Sequence, residues 1–182
     1  MGTPPSPRLA IVNSSLSSDS NTRMLCRHAQ AHARAKGIEA SFIDLKDYRI
    51  LPYGQEGSEG VDEIEAQLEE AGAIILGYPL YNYNMNASLK ALIEHCGSCF
   101  EDKVVGLMTA AGGRSSYMSV FSVGQSLMLD FRSWIVPRYV YAVGEDFSAE
   151  AIANPEVRRR VEQLVQTVHH TAWQHLMELP GR

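Results

Sequence analysis

The sequence contains no apolar run close to the roughly 20 residues that a membrane-spanning helix requires, so neither a span nor a membrane partner is expected. Cysteine is sparse. Three in 182 residues is an odd number in a chain large enough to fold without covalent staples, which makes a reducing compartment, the cytoplasm, the expected location. Positive charge is in deficit: 16 Lys and Arg face 21 Asp and Glu, for a net charge of −5. A nucleic-acid partner calls for a basic face and is not expected. The one basic cluster, Arg158-Arg159-Arg160, falls on a predicted helix and reads as a solvated face. Residues 1–7 hold three prolines and no apolar stretch, which predicts a short disordered leader, not a signal peptide, ahead of one domain over residues 8–178.

Nucleotide signatures are missing too. Without the Gly-Lys-Ser/Thr of a P-loop, ATP or GTP chemistry is not expected, and without Gly-x-Gly-x-x-Gly no dinucleotide pyrophosphate is expected at the first turn. No Gly-x-Ser-x-Gly or Ser-His-Asp pattern offers a nucleophile. Cys96 and Cys99 are spaced as a redox pair, but they close a predicted helix at its C-terminal end, where the dipole disfavours a thiolate. There is no second cysteine pair, and the neighbours His169 and His170, with His175, point to different helix faces, so no metal site is expected.

What is present is an alternation of apolar strands and helices. Strands are predicted at residues 8–14, 39–45, 72–78, 103–109 and 134–143, with helices at about 22–36, 61–70, 89–96, 116–131 and from 157 onward. Gly37 is placed to cap the first helix. Leu89, Leu92, Ile93 and Cys96 mark one helix face, as do Val157, Val161, Leu164, Val165 and Val168. Strands apolar throughout imply a parallel sheet covered on both sides. The expected architecture is therefore an α/β fold: a doubly wound five-stranded sheet of order 2-1-3-4-5. The segment 117–131 is apolar almost all round, which predicts a subunit interface as well as a core face.

In such a sheet, ligands bind beyond the carboxyl ends of the strands where the order reverses, here between the first and third. Three segments meet that edge. Asn13–Thr22 has Ser or Thr at six of ten positions and runs into a helix N-terminus, a setting for a terminal phosphate. Residues 77–86 (GYPLYNYNMN) offer tyrosine rings and amides suited to a planar heterocycle. Residues 109–116 (TAAGGRSS) carry paired glycines that let backbone N–H groups approach a ligand closely.

Taken together, Ser14–Thr22, the Pro79–Asn82 stretch followed by residues 88–93 (SLKALI), and residues 111–114 (AGGR) resemble the NADPH-dependent FMN reductase family. These are flavodoxin-like proteins that include azo-, quinone- and chromate-reducing relatives, and the likeness spans roughly residues 8–170. The resemblance implies that Ser14, Ser20, Asn21 and Thr22 hold the FMN phosphate, with Leu16 where the family often has an arginine. It implies that Pro79, Leu80, Tyr81 and Asn82 line the isoalloxazine and ribityl chain, and that Ala111, Gly112 and Gly113 face the pyrimidine edge. Arg114 is the candidate to meet a nicotinamide phosphate. The implied activity is an FMN-dependent NAD(P)H oxidoreductase with NADPH or NADH as reductant and a quinone, free flavin, azo compound or similar small acceptor, working by a ping-pong cycle as a homodimer or homotetramer. An electron-transfer flavodoxin and a flavin-free interaction protein on the same fold are the alternatives.

Overall fold

Apolar strands that alternate with helices can bury both faces only by lying between two helical layers. That is the arrangement in the computed structural model, which describes residues 6–178. β1 (Leu9–Asn13) is flanked by β2 (Ala40–Asp44) and β3 (Ala73–Tyr81), all parallel, with β3 at the centre of the sheet. β4 (Asn84–Met85) folds back antiparallel on the tip of β3. β5 (Val104–Ala111) pairs with β3, and both β6 (Trp134–Ile135) and β7 (Val140–Val143) pair with β5. The parallel order β2-β1-β3-β5-β6 is the expected 2-1-3-4-5, with the fifth position shared by β6 and β7.

Side-chain alternation divides the core in two. Leu9, Ile11, Ala73, Ile75, Val104 and Met108 point to one face, against α1 (Asn21–Ala35) and α5 (Pro155–Glu178). Ala10, Val12, Ile74, Leu76, Val105 and Leu107 point to the other, covered by α2 (Val61–Glu70), α3 (Ala87–His95) and α4 (Val120–Phe131). All five apolar positions read from the sequence on α5 are buried. Ser20 caps α1 by accepting from the Arg23 N–H, and Gly37 follows it at φ +71°, a left-handed conformation that glycine takes without steric cost.

Three elements differ from expectation. The fifth strand is broken because Pro137 has no N–H to donate to the ladder. Val104 pairs with Trp134 but Met108 with Val140, so the edge gains two unmatched residues around Pro137 and Arg138. The helix expected over 116–131 begins as a 3-10 turn, Arg114–Ser119, with Ser116 outside helical geometry, and becomes an α-helix only at Val120. β3 runs past Tyr78 to Tyr81, so the stretch read as a loop from Pro79 is a strand end and a hairpin. Of the leader, residues 1–5 lie outside the described residues; Pro7 is buried and Ser6 Oγ lies 2.9 Å from His169 Nε2.

Helix α1 can approach β3 closely only because position 77 has no side chain. A Cβ on Gly77 would collide with Cys26 Sγ and sit 3.3 Å from the Val12 carbonyl oxygen and 3.4 Å from Thr22 Cγ2. Gly77→Ala should therefore cost about 1–3 kcal/mol, the usual range for overpacking a filled core. Urea denaturation checks this, and an unchanged midpoint would mean that α1 shifts freely.

Candidate functional site

At the carboxyl end of β1 the chain turns through Ser14–Asp19 into α1, and the turn is held from behind by a side chain of its own helix. Arg23 donates from Nη1 to the Ser17 carbonyl at 2.6 Å and the Ser18 carbonyl at 3.3 Å, and from Nη2 to the Ser15 carbonyl at 3.1 Å. Its Nε meets Asp44 Oδ2 at 2.6 Å, and Asn13 Nδ2 donates to Asp44 Oδ1 at 2.8 Å. In a trans peptide the carbonyl and the following N–H point in opposite directions. With the carbonyls of Ser15, Ser17 and Ser18 turned toward Arg23, the N–H groups of Leu16, Ser18 and Asp19 face the other way, out of the loop.

The helix end adds donors. Asn21 and Thr22 occupy the first turn of α1, whose N–H groups have no intrahelical acceptor, and that turn contains no acidic residue. The Ser20 hydroxyl accepts from the Arg23 N–H at 3.1 Å and keeps its own proton to donate outward. The Ser14 hydroxyl is committed otherwise: it donates to Asn86 Oδ1 at 2.8 Å, while its N–H bonds the Gly77 carbonyl. Ser14 joins two loops and has no proton left for a phosphate. Leu16 is exposed on the rim of a cavity of about 180 Å³ shared with Tyr48 and Ser88.

The second segment is a tight hairpin. Tyr81 pairs with Asn84 across a two-residue turn in which Asn82 and Tyr83 have φ of +51° and +62°. Positive φ at both central positions is the type I′ pattern. It is unusual for a tyrosine, and such conformations persist where surrounding structure enforces them. Here Asn84 Oδ1 accepts from Ser122 Oγ at 3.1 Å, and the Tyr83 hydroxyl comes within 3.5 Å of Ser115 Oγ. The turn leaves Tyr81, Asn82 and Tyr83 exposed, with Pro79 and Leu80 buried beneath them.

Buried Asn86, before α3, returns the link to the first loop: its Nδ2 donates to the Ser14 carbonyl at 2.7 Å, and Ser88 Oγ donates to the same oxygen at 2.6 Å. In the third segment Ala111 is buried, while Gly112 and Gly113 are exposed with open space where a Cβ would stand. The Tyr141 hydroxyl fixes this turn by donating to the Gly113 carbonyl, with Ser116 Oγ 2.8 Å away. Arg114, largely solvated, lies 3.5 Å from Glu145. The structure thus brings all three sequence-predicted segments to one crevice between β1, β3 and β5.

The sequence did not single out Arg23 or Asp44, and it placed Asn86 and Ser88 in candidate segments without their role of tying the second segment to the first. Asn86 stands where an N-cap belongs, which is a detectable signal. Arg23 looks in sequence like an ordinary first-turn surface residue. Cys96 and Cys99 are both buried, and burial pushes the Cys96 thiol up to about 12 and raises that of Cys99, which fits structural cysteines.

The donor set fits a flavin mononucleotide. Outward N–H groups, a free helix N-terminus and the Ser20 hydroxyl suit a phosphate dianion; exposed tyrosines and an uncovered Gly-Gly backbone suit a flat, hydrogen-bonding ring.

Burial alone would raise the Asp44 carboxyl, but hydrogen bonds from Arg23, Asn13 and the Lys46 N–H override it and hold Asp44 below its ordinary value. A carboxylate depressed in the folded state adds stability above its unfolded pKa, roughly 3.9, and loses that contribution as pH falls through the folded value. Asp44→Asn should therefore cost about 1–3 kcal/mol near neutral pH. The gap from the parent protein should close below about pH 4, as read by urea denaturation across pH.

The family model for NADPH-dependent FMN reductase matches residues 7–148. The chain is 26% identical over 142 residues to an NAD(P)H-dependent FAD/FMN reductase of Geobacillus thermodenitrificans, covering 75% of this chain and 77% of that one. It is 30% identical over 120 residues to an FMN-dependent NADH:quinone oxidoreductase of Cellvibrio japonicus, covering 56% of this chain and 59% of that relative's length. The fold matches the apo structure of an NADH:FMN oxidoreductase with a TM-score of 0.78 at 16% identity, over 91% of this chain and 89% of the other. With the crevice, the three segments and a family match across most of its length all in agreement, the chain belongs to the NADPH-dependent FMN reductase family.

Proposed function

We propose that the chain is an FMN-dependent NAD(P)H oxidoreductase that passes electrons to a small oxidised acceptor, a quinone, free flavin or azo compound, in two successive half-reactions at one site. The observation that carries this reading is the convergence of a phosphate cradle, an aromatic hairpin and an open Gly-Gly turn at one sheet edge. FMN, when bound, supplies hydride acceptance and release, so the crevice needs no nucleophile or general base. The chain's own residues bind and orient: the outward N–H groups of the Ser14–Thr22 turn and the Ser20 hydroxyl receive the phosphate, Pro79–Asn82 supply the wall, and Gly112 and Gly113 offer N–H groups to the ring edge. With Leu16 in place of an arginine, the phosphate charge is met by amides and the α1 dipole, and Arg23, neutralised by Asp44, sets where those amides point.

The outer side of α4 supports a second copy of the chain as partner. Val120, Val123, Gly124 and Leu127 face the core, while Phe121, Met128 and Leu129 are exposed, as is Met118 just before the helix. Large apolar side chains left in water on and just before one helix are what a subunit interface would cover. Among the described residues no helix is long and apolar enough to cross a membrane.

Purified protein should carry flavin absorption bands, restored by FMN if lost, and anaerobic NADPH should bleach them. Bands that resist both NADPH and NADH would favour an electron carrier, and no FMN binding at all would favour a flavin-free interaction protein. Arg23→Gln should weaken FMN roughly 10- to 100-fold, as loss of charged hydrogen bonds does, while riboflavin, which lacks the phosphate, keeps its affinity. Equal loss for both would assign Arg23 a merely structural part. Leu129→Glu should shift the chain to monomers in light scattering; an unchanged oligomer would move the interface elsewhere.

A further inference from the structure

The arginine run on α5 is solvated, as its sequence suggests, and two of its members also line a cleft. Arg159 and Arg160 border a cleft of about 490 Å³ on the outer edge of the sheet, opposite Arg138, with Tyr117, Tyr139 and Gln163 among its walls. Arg138 is there because the edge strand breaks: the two-residue excess around Pro137 turns it out of the ladder, and bulges at sheet edges commonly re-aim a side chain in this way. Arg159 and Arg160 share Glu156, at 2.6 and 3.2 Å, whereas no carboxylate among the described residues pairs with Arg138. Three guanidinium groups against one carboxylate leave a local positive excess on a chain whose net charge is −5. Such a spot concentrates anions, and arginine forks match phosphate oxygens.

The cleft is connected to the crevice. Tyr141, whose hydroxyl holds the Gly113 carbonyl, packs on Tyr117 with ring centroids 5.3 Å apart, and Tyr117 packs on Tyr139 at 5.0 Å. The Tyr139 hydroxyl donates to the Tyr117 carbonyl at 3.1 Å, fixing the last ring at the mouth of the cleft. A row of aromatic side chains thus runs from the Gly-Gly turn to the arginines. It is a surface on which a dinucleotide can lie, with a purine stacked on a tyrosine.

Resting on the reductase reading, we propose that Arg138, Arg159 and Arg160 form the subsite for a phosphate monoester carried by the reductant, the 2′-phosphate of NADPH. These residues touch neither the phosphate cradle nor the Gly-Gly turn. They select between reductants and take no part in hydride transfer.

The test uses the flavin-loaded protein. NADPH should be preferred to NADH, and Arg138→Ala should lower kcat/KM for NADPH by about tenfold or more with that for NADH unchanged; Arg160→Ala should act in the same sense. 2′,5′-ADP should bind by calorimetry more tightly than 5′-AMP, and Arg138→Ala should abolish the difference. Equal use of NADPH and NADH by the parent, or an equal loss for both in the variant, would overturn the subsite. Inorganic phosphate binding as tightly as 2′,5′-ADP would mark a general phosphate site and overturn the assignment to NADPH. Should neither reductant bleach the flavin, the reductase reading fails, and the calorimetric comparison still decides the subsite by itself.

Discussion

The hydrogen bonds between Ser14 and Asn86 close a crevice that the strand order opens. In a sheet ordered β2-β1-β3-β5, the chain leaves β1 toward one face and β3 toward the other, and the gap above their carboxyl ends is a consequence of topology alone. A gap becomes a site only when its walls are held in register. The Ser14 hydroxyl donates to Asn86 Oδ1, its carbonyl accepts from Asn86 and Ser88, and its N–H donates to the Gly77 carbonyl. Without these contacts the phosphate turn and the tyrosine hairpin would be independent surface loops.

The same logic explains why the polar groups at the edge are buried. Asn13, Ser14, Asp44, Thr22 and Asn86 lie among apolar strands, where an unpaired polar atom costs free energy of about 1–3 kcal/mol. For Asn13, Ser14, Asp44 and Asn86 that cost is offset by bonds to one another or to Arg23 and nearby backbone, and the network rigidifies the turn as it satisfies itself. Arg23 is the junction. Its charge is spent on Asp44, and what it contributes is direction: carbonyls gathered behind the loop leave N–H groups in front.

Much of this was legible in the residues. Strand segments such as residues 73–78 (AIILGY) and 104–108 (VVGLM) carry no charged or strongly polar side chain, which only a sheet covered on both faces accommodates, and the helices between them carry regular apolar faces. That three segments meet at one sheet edge was legible too, because a Ser-rich turn before a helix and a Gly-Gly turn after a strand both follow strands whose carboxyl ends share that edge. What was hidden depends on contacts between distant residues. Arg23 and Asp44 are 21 positions apart and unremarkable singly. Tyr83 takes a left-handed conformation that its own preferences disfavour, so Pro79–Met85 read as loop, not as strand, turn and strand. Pro137 falls inside the single strand expected over 134–143, so neither the break there nor the direction in which Arg138 points was foreseen.

Two different solutions to holding phosphate follow from the proposed reading. A cofactor that stays bound is best met by fixed dipoles, which need no side chain to be ordered each time, and the amides behind which Arg23 sits have that character. A reductant that must arrive and leave is better met at the surface, where arginines attract it at long range and release it without unpicking a buried network. On this chain the amides lie in the crevice and the exposed arginines lie beyond the tyrosine row. Placing them apart keeps the charge that recruits the reductant from competing for the phosphate of the bound cofactor. A guanidinium in the first loop would serve both anions and distinguish neither, so Leu16 is coherent with the rest of the site.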